Sequence, residues 1–338
     1  MSVSAGTKPV FPESFFHGEE RDGFFVTALM KRTWAAELQM LFDLASFCEA
    51  HNLRWYADYG TLLGAVRHGG YIPWDDDIDI AMPRADYEKM LSLSGELPAP
   101  YQFLSVYHTD MFWNQHAVLK NTRAKKLEWD EERMEYFHGC PFIVDLDIFP
   151  LDNIPDDPAR RTLTRLVYTI AYKLLHDCVA IEEKEAHGQP VSEEETAKFM
   201  EGVRQLQEQL TRLPGNVTLD LSYPLRNALL RCTNAIAMSC PDQEASHIAY
   251  AVQYTYDPKV FRKKTWDAET VRLPFEWMEV NAPAAYTEVL TYHFGKDYMT
   301  PRRQPAGHGY PFYAGQEEYF RFIGKMGPSD TQFHCQTL

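Results

Sequence analysis

Tyr59-Gly60-Thr61-Leu62-Leu63-Gly64-Ala65-Val66-Arg67-His68 and, three residues on, Ile72-Pro73-Trp74-Asp75-Asp76-Asp77-Ile78-Asp79-Ile80 decide how this chain folds. Asp77 to Met82 alternates polar and apolar residues, the pattern of a half-buried strand. Residues two apart on a strand point to the same face. Asp77 and Asp79 therefore project together, while Ile78 and Ile80 enter a core. Carboxylates this close raise each other's proton affinity unless a cation lies between them. An oxygen-only pair on a rigid strand suits Mg²⁺, with Mn²⁺ as the other candidate, because either ion keeps positions open for water or substrate phosphate. Four acids in five positions are ordinarily a solvated surface, but the alternation with Ile78 and Ile80 and Trp74 beside them argue for a built site. A calcium loop would start at Asp75 and end at Asp86, yet its sixth position needs Gly and holds Ile80.

A second acidic strand is predicted over Phe142 to Phe149, ending at Pro150. Asp145 and Asp147 share one of its faces; Val144, Leu146 and Ile148 share the other. Two such strands can hold two metals ~3.5–4 Å apart for displacement at phosphorus. Both acids are candidate ligands, and alternation does not choose between them. Gly60-Thr61 is read as a turn, with Thr61 capping a short helix that carries Leu62, Leu63, Ala65 and Val66. Backbone N–H groups at such a helix start bind phosphate. Arg67, Lys120 and Arg123 are candidate phosphate partners, and His68 is read as a loop residue. Trp74, Trp113, Tyr256 and Trp266 could cage a quaternary ammonium, although each alone reads as core.

Outward from this segment, residues 1–25 read as an irregular arm. A helix is predicted over Ala28 to Ala50, where Trp34, Leu38, Leu41, Ala45 and Cys48 form a stripe. A strand from Leu53 to Ala57, a helix from Arg84 to Leu93 and strands between Tyr101 and Leu127 complete a catalytic core over 26–155. Residues 156–250 read as a helical subdomain, with helices over 158–183, 193–212 and 224–239 and a capping box at Ser192 and Glu195. Residues 251–305 rejoin the core through a β segment near 265–281 and a helix near 284–295, and 306–338 form a tail.

The net charge is −15, from 33 basic against 48 acidic residues, so the cationic surface that nucleic acid requires is missing. None of the six cysteines stands in a C-x-x-C pair, which speaks for reduced thiols rather than a zinc site. The N-terminus has no apolar signal region, and no stretch approaches the ~20 apolar residues of a membrane span. A cytoplasmic protein is expected.

The stretch from Gly60 to Met82 resembles the signature of the LicD family, which also includes fukutin and fukutin-related protein. Asp147-Ile148-Phe149-Pro150-Leu151-Asp152 resembles its second motif. Leu273-Pro274-Phe275-Glu276 and Tyr292 to Met299 resemble its closing ones. The likeness covers residues 26–155 and 255–305. It implies an α/β (α+β) nucleotidyltransferase-like fold, a mixed sheet flanked by helices, here with a helical insertion. It also implies Mg²⁺-dependent transfer of a phospho-alcohol, phosphocholine above all, from a CDP-linked donor such as CDP-choline. The acceptor would be a hydroxyl of a glycan or polyol-phosphate of the teichoic-acid or lipopolysaccharide type, lipid-linked forms included, and CMP would leave. Gly60 and Thr61 would stand where the family has Gly-Ser, Asp77 and Asp79 would bind metal, and Asp147 would be the third carboxylate. Two rival readings are a nucleotidylyltransferase that makes an NDP-activated product, and an inactive nucleotide- or carbohydrate-binding module. The intact acids argue against the module.

Overall fold

Thr27 starts the first long helix, its hydroxyl accepting the Met30 N–H at 3.1 Å. The computed structural model describes residues 10–107, 112–259, 261–303 and 309–327. In chain order the strands are β1 (Glu19–Arg21), β2 (Phe24–Val26), β3 (Tyr56–Ala57), β4 (Asp79–Pro83), β5 (Gln102–Leu104), β6 (Ala117–Lys120), β7 (Asp145–Ile154), β8 (His247–Ala249), β9 (Arg262–Lys263), β10 (Thr270–Phe275) and β11 (Met278–Pro283). The helices are α1 (Ala28–Ala50), α2 (Tyr59–Arg67), α3 (Arg84–Ser92), α4 (Glu131–Tyr136), α5 (Pro158–Ala186), α6 (Glu193–Leu210), α7 (Leu225–Ala237), α8 (Ala251–Tyr256), α9 (Tyr286–Phe294) and α10 (Ala314–Phe322). A mixed sheet flanked by helices is the architecture expected from the sequence.

The described residues fall into two compact units, one of 1–103, 118–148 and 268–338, the other of 104–117 and 149–267. The second unit takes in the 156–250 stretch and extends beyond it at both ends. The boundary crosses β7 between Ile148 and Phe149.

In the first unit the strands lie in the order β3-β4-β7-β6-β5. β3 pairs β4 antiparallel, Tyr56 opposite Ala81 and Ala57 opposite Ile80. Asp147 N–H donates to Ile78 O at 3.1 Å, which ties the two acidic segments together. α1 has the predicted span, but from Leu29 to Leu41 it is buried on nearly every side. A helix enclosed in this way is central rather than amphipathic, so its polar residues need partners inside. Glu37 accepts the Tyr71 hydroxyl at 2.7 Å, and Trp34 stacks on Tyr71 with centroids 4.5 Å apart.

Three expectations change. The arm contains a hairpin: β1 and β2 pair across Asp22 and Gly23, which both have positive φ, the backbone that an Asp-Gly turn favours. The tail contains α10, and Tyr313 just before it stacks on Phe142 at 4.1 Å. The second acidic strand begins at Asp145 and does not stop at Pro150. A proline removes only one ladder donor, and the strand continues because Asp152, Asn153 and Ile154 pair with β8.

In the second unit α5 packs against α6, α7 and α8. Its buried residues Val167, Tyr168, Ala171, Leu174, Leu175 and Cys178 recur every three or four positions, and Asp157 caps it ahead of Pro158. The Ser192–Glu195 capping box is present on α6. Among the described residues no helix is long and apolar enough to cross a membrane. Five cysteines are buried and free of disulfides, and burial pushes the Cys48, Cys140 and Cys232 thiols up to about 12. Cys335 lies outside the described residues.

Candidate active site

Asp58, not Thr61, caps α2: its Oδ1 accepts the Tyr59 N–H at 3.0 Å, and its own N–H donates to Asp79 O at 3.1 Å. Gly60 and Thr61 therefore lie in the first helical turn rather than in a turn before it. Tyr59, Gly60, Leu63 and Arg67 recur at helical spacing and line one side of a cavity of about 480 Å³, within the ~300–1,000 Å³ usual for small-molecule sites. Leu62 and Ala65 face the core.

Thr61 is buried, and its Oγ1 accepts the Asp79 N–H at 2.8 Å, so it fixes the start of β4. Thr61→Val keeps the shape and removes the acceptor, leaving a buried N–H without its bond. The expected cost is ~1–3 kcal/mol, read as a lower urea midpoint, with Thr61→Ser close to wild type. An unchanged midpoint in Thr61→Val would remove this role.

Two glycines set close approaches. A Cβ on Gly60 would lie 2.5 Å from Asp75 Oδ2, so only Gly lets that carboxylate rest against α2. A Cβ on Gly64 would collide with the Gly70 carbonyl, where backbone meets backbone. Gly64→Ala should cost ~1–3 kcal/mol through overpacking, measured by denaturant unfolding. A wild-type unfolding midpoint would contradict the tight packing.

The alternation in the acidic run reaches two residues further back than the sequence reading placed it, to Asp75. Asp75, Asp77 and Asp79 all line the cavity. Asp76, Ile78 and Ile80 are fully buried, and Asp76 Oδ2 accepts the Phe312 N–H at 2.7 Å. Trp34 Nε1 holds the Asp75 carbonyl at 3.1 Å. Oxygens of Asp75, Asp76 and Asp77 lie within 4.8 Å of one another, a spacing that could hold a metal ion. Burial pushes the Asp79 carboxyl well above the usual range, and the charges of Asp77, Asp147, Asp75 and Asp58 push it further. Burial followed by Asp77 and Asp76 does the same to Asp75. A divalent cation would reverse both effects, because it supplies the opposite charge to an oxygen-only donor set.

Asp147 is half-buried on β7 and acts electrostatically on Asp79. Asp145 is exposed, and its charge acts on Glu37. The far wall of the cavity is the end of α9 and the segment after it, with Phe294, Asp297, Tyr298, Thr300 and Arg302. Arg67 donates to the Tyr298 carbonyl at 3.0 Å, and Arg302 is ion-paired with Asp297. The cavity thus has a carboxylate wall and two guanidinium groups, the charge pattern that would hold a phosphate through a bridging cation.

Lys120 is not among the lining residues. Arg123 donates to the carbonyls of Tyr101 at 2.8 Å and Leu97 at 3.2 Å and serves a loop instead. Trp74 lines the cavity and already has the Arg303 guanidinium 5.4 Å from its ring centroid. Trp113, Tyr256 and Trp266 belong to the other unit, where Trp113 packs edge-on to His176 and Tyr256 edge-on to Tyr172. Asp75 was legible as a third alternating acid. Arg302 carries no sequence signal and Asp297 only its place in the closing motif, because their position at the cavity depends on how the chain returns after α9.

Residues 52–162 match the family model described as LicD/FKTN/FKRP, nucleotidyltransferase domain. The chain is 28% identical over 130 residues to the lipopolysaccharide cholinephosphotransferase LicD of Haemophilus influenzae, a stretch covering 36% of this chain and 43% of that protein. It is 34% identical over 84 residues to an uncharacterized protein of Rickettsia prowazekii, 25% of this chain and 29% of the other. It is 43% identical over 47 residues to the human ribitol 5-phosphate transferase FKRP, 14% of this chain and 10% of that one. The chain spans less than half the length of each of these relatives. The signature on α2 and β4, the acids it carries and the matched stretch agree: residues 52–162 of this chain carry a LicD/FKTN/FKRP nucleotidyltransferase domain.

Proposed function

We propose that this chain transfers a phospho-alcohol group from a CDP-linked donor, CDP-choline being the first candidate, to a hydroxyl of a glycan or polyol-phosphate acceptor. The carrying observation is the cavity that sets Asp75, Asp77 and Asp79 against Arg67 and Arg302 along α2. Similarity to a cholinephosphotransferase and to a ribitol 5-phosphate transferase supports phospho-alcohol transfer as the reaction type.

Asp75, Asp77 and Asp79, with Asp147 beside them, would hold Mg²⁺ or Mn²⁺. Such an ion neutralises charge on the donor phosphates. Arg67 and Arg302 would bind the donor diphosphate, and Gly60 lets the Asp75 carboxylate rest against α2 beside it. Asp147 would accept the proton of the acceptor hydroxyl. The acceptor oxygen then forms a bond to the phosphorus that carries the alcohol, the bond from that phosphorus to the CMP oxygen breaks, and CMP leaves with its electron pair. A cytoplasmic location fits a nucleotide donor.

Product identity tests this against nucleotidyl transfer. The full chain is incubated with Mg²⁺ and either a CDP-alcohol or CTP plus the phospho-alcohol. CMP from the first mixture supports the proposal; pyrophosphate from the second with no CMP from the first would replace it.

A further inference from the structure

A second cleft, of about 590 Å³, lies behind Arg67. Its partition from the first cavity is a single stretch of chain: Ile72 and Trp74 line the first cavity, Tyr71 and Pro73 line the second, and Arg67 lines both. Three tight turns build its walls. Asp22 at the tip of the β1–β2 hairpin places a carboxylate oxygen 3.2 Å from His68 Nε2. Gly69, with φ near +66°, gives its carbonyl to the Glu276 N–H at 2.8 Å. Glu276, in the β10–β11 turn, accepts the Tyr71 N–H at 3.2 Å and two bonds from the Arg21 guanidinium at 2.5 and 3.2 Å. These cross-links fix the polar groups before any ligand arrives.

Trp277, next in that turn, is 59% exposed, and among the described residues no ring or cation packs on its face. An indole beside a rigidly held donor (Arg21) and acceptors (Asp22, Glu276) matches a saccharide. The C–H face of a sugar ring packs on the aromatic face, and its hydroxyls need both donors and acceptors at the edge. Asp22 and Glu276 balance Arg21 and Arg67, so the cleft offers a nucleotide phosphate no excess of positive charge. We propose that this cleft is a saccharide-binding subsite with Trp277 as its stacking platform, holding the sugar portion of the acceptor next to the cavity that takes the donor. Naming the occupant as the acceptor rests on the transferase reading; binding of a saccharide does not.

The test is retention of the full chain on an array of cell-surface glycans, for wild type, Trp277→Ala, Trp277→Phe and Asp77→Asn. Wild type should be retained on at least one saccharide. Trp277→Ala should weaken retention about tenfold or more, and Trp277→Phe should restore most of it. Asp77→Asn should leave it unchanged, since that acid lies in the other cavity. Retention on no saccharide, retention indifferent to Trp277→Ala, or displacement of the glycan by CMP would each overturn the proposal. Glycan retention that depends on Trp277, together with inactivity toward every CDP-alcohol, would sink the donor reading and leave this site standing.

Discussion

Asp77→Asn and Asp79→Asn each lower turnover on the order of 10³-fold or more while the chain still folds. The loss follows from removing a carboxylate whose expected work is to hold a cation at the donor phosphates, which contributes several kcal/mol to the transition state, at ~1.4 kcal/mol per tenfold in rate. The fold survives because both side chains face the cavity and the buried Ile78 and Ile80 that alternate with them are untouched. Stability in the absence of metal should rise in Asp79→Asn. The folded state lifts the Asp79 carboxyl above its unfolded value through burial and through the charges of Asp77, Asp147, Asp75 and Asp58. A carboxyl raised in this way binds a proton more readily folded than unfolded, so metal-free wild type gains stability as pH falls through that raised value. Asparagine removes the Asp79 share of this dependence and leaves that of Asp75. Thermal unfolding in EDTA between about pH 8 and pH 5, for wild type and Asp79→Asn, measures it. Excess Mg²⁺ should raise the wild-type Tm by mass action and leave Asp77→Asn almost where it was. Near-normal turnover in both variants would remove these acids from the centre.

Asp147→Ala is the second large effect, a loss of about 10²–10⁴-fold if Asp147 takes the acceptor proton. Asp145→Ala should cost less, and raising Mg²⁺ should partly rescue it. The two residues share a strand face, and the difference between them lies in their surroundings. Asp147 is half-buried, its backbone N–H is bonded to Ile78 O, and its charge acts on Asp79. Asp145 is exposed, and its charge acts on Glu37. Rates of both variants across a Mg²⁺ titration decide the assignment. A dead Asp145→Ala that no metal rescues, beside an active Asp147→Ala, would reverse it.

The legible parts of this molecule are those in which one local signal settles one structural fact. The Asp-Ile alternation puts Asp77 and Asp79 on one face and Ile78 and Ile80 on the other, as the structure has them. The capping box on α6 and the span of α1 were equally local. The Asp22-Gly23 hairpin was a local signal too, hidden by its position in a segment that otherwise has no period. What sequence could not supply is set by distant chain. Asp58 displaces Thr61 as the cap because β3 delivers it to the start of α2, which frees the Thr61 hydroxyl to hold β4. Arg302 reaches the cavity only because the segment after α9 returns to it, and Arg123 leaves phosphate duty because two loop carbonyls take its donors. Nothing local marks Glu37, and only the enclosure of α1 on nearly every side makes it an internal acceptor for Tyr71.

The most direct test of the metal-dependent transferase account is CMP release by the full chain from a panel of CDP-alcohols, CDP-choline included, with Mg²⁺ and again with EDTA. The account predicts CMP from at least one donor, no CMP in EDTA, recovery on adding back Mg²⁺ or Mn²⁺, and no CMP from Asp77→Asn. CMP released at the same rate in EDTA, or by Asp77→Asn, would contradict it.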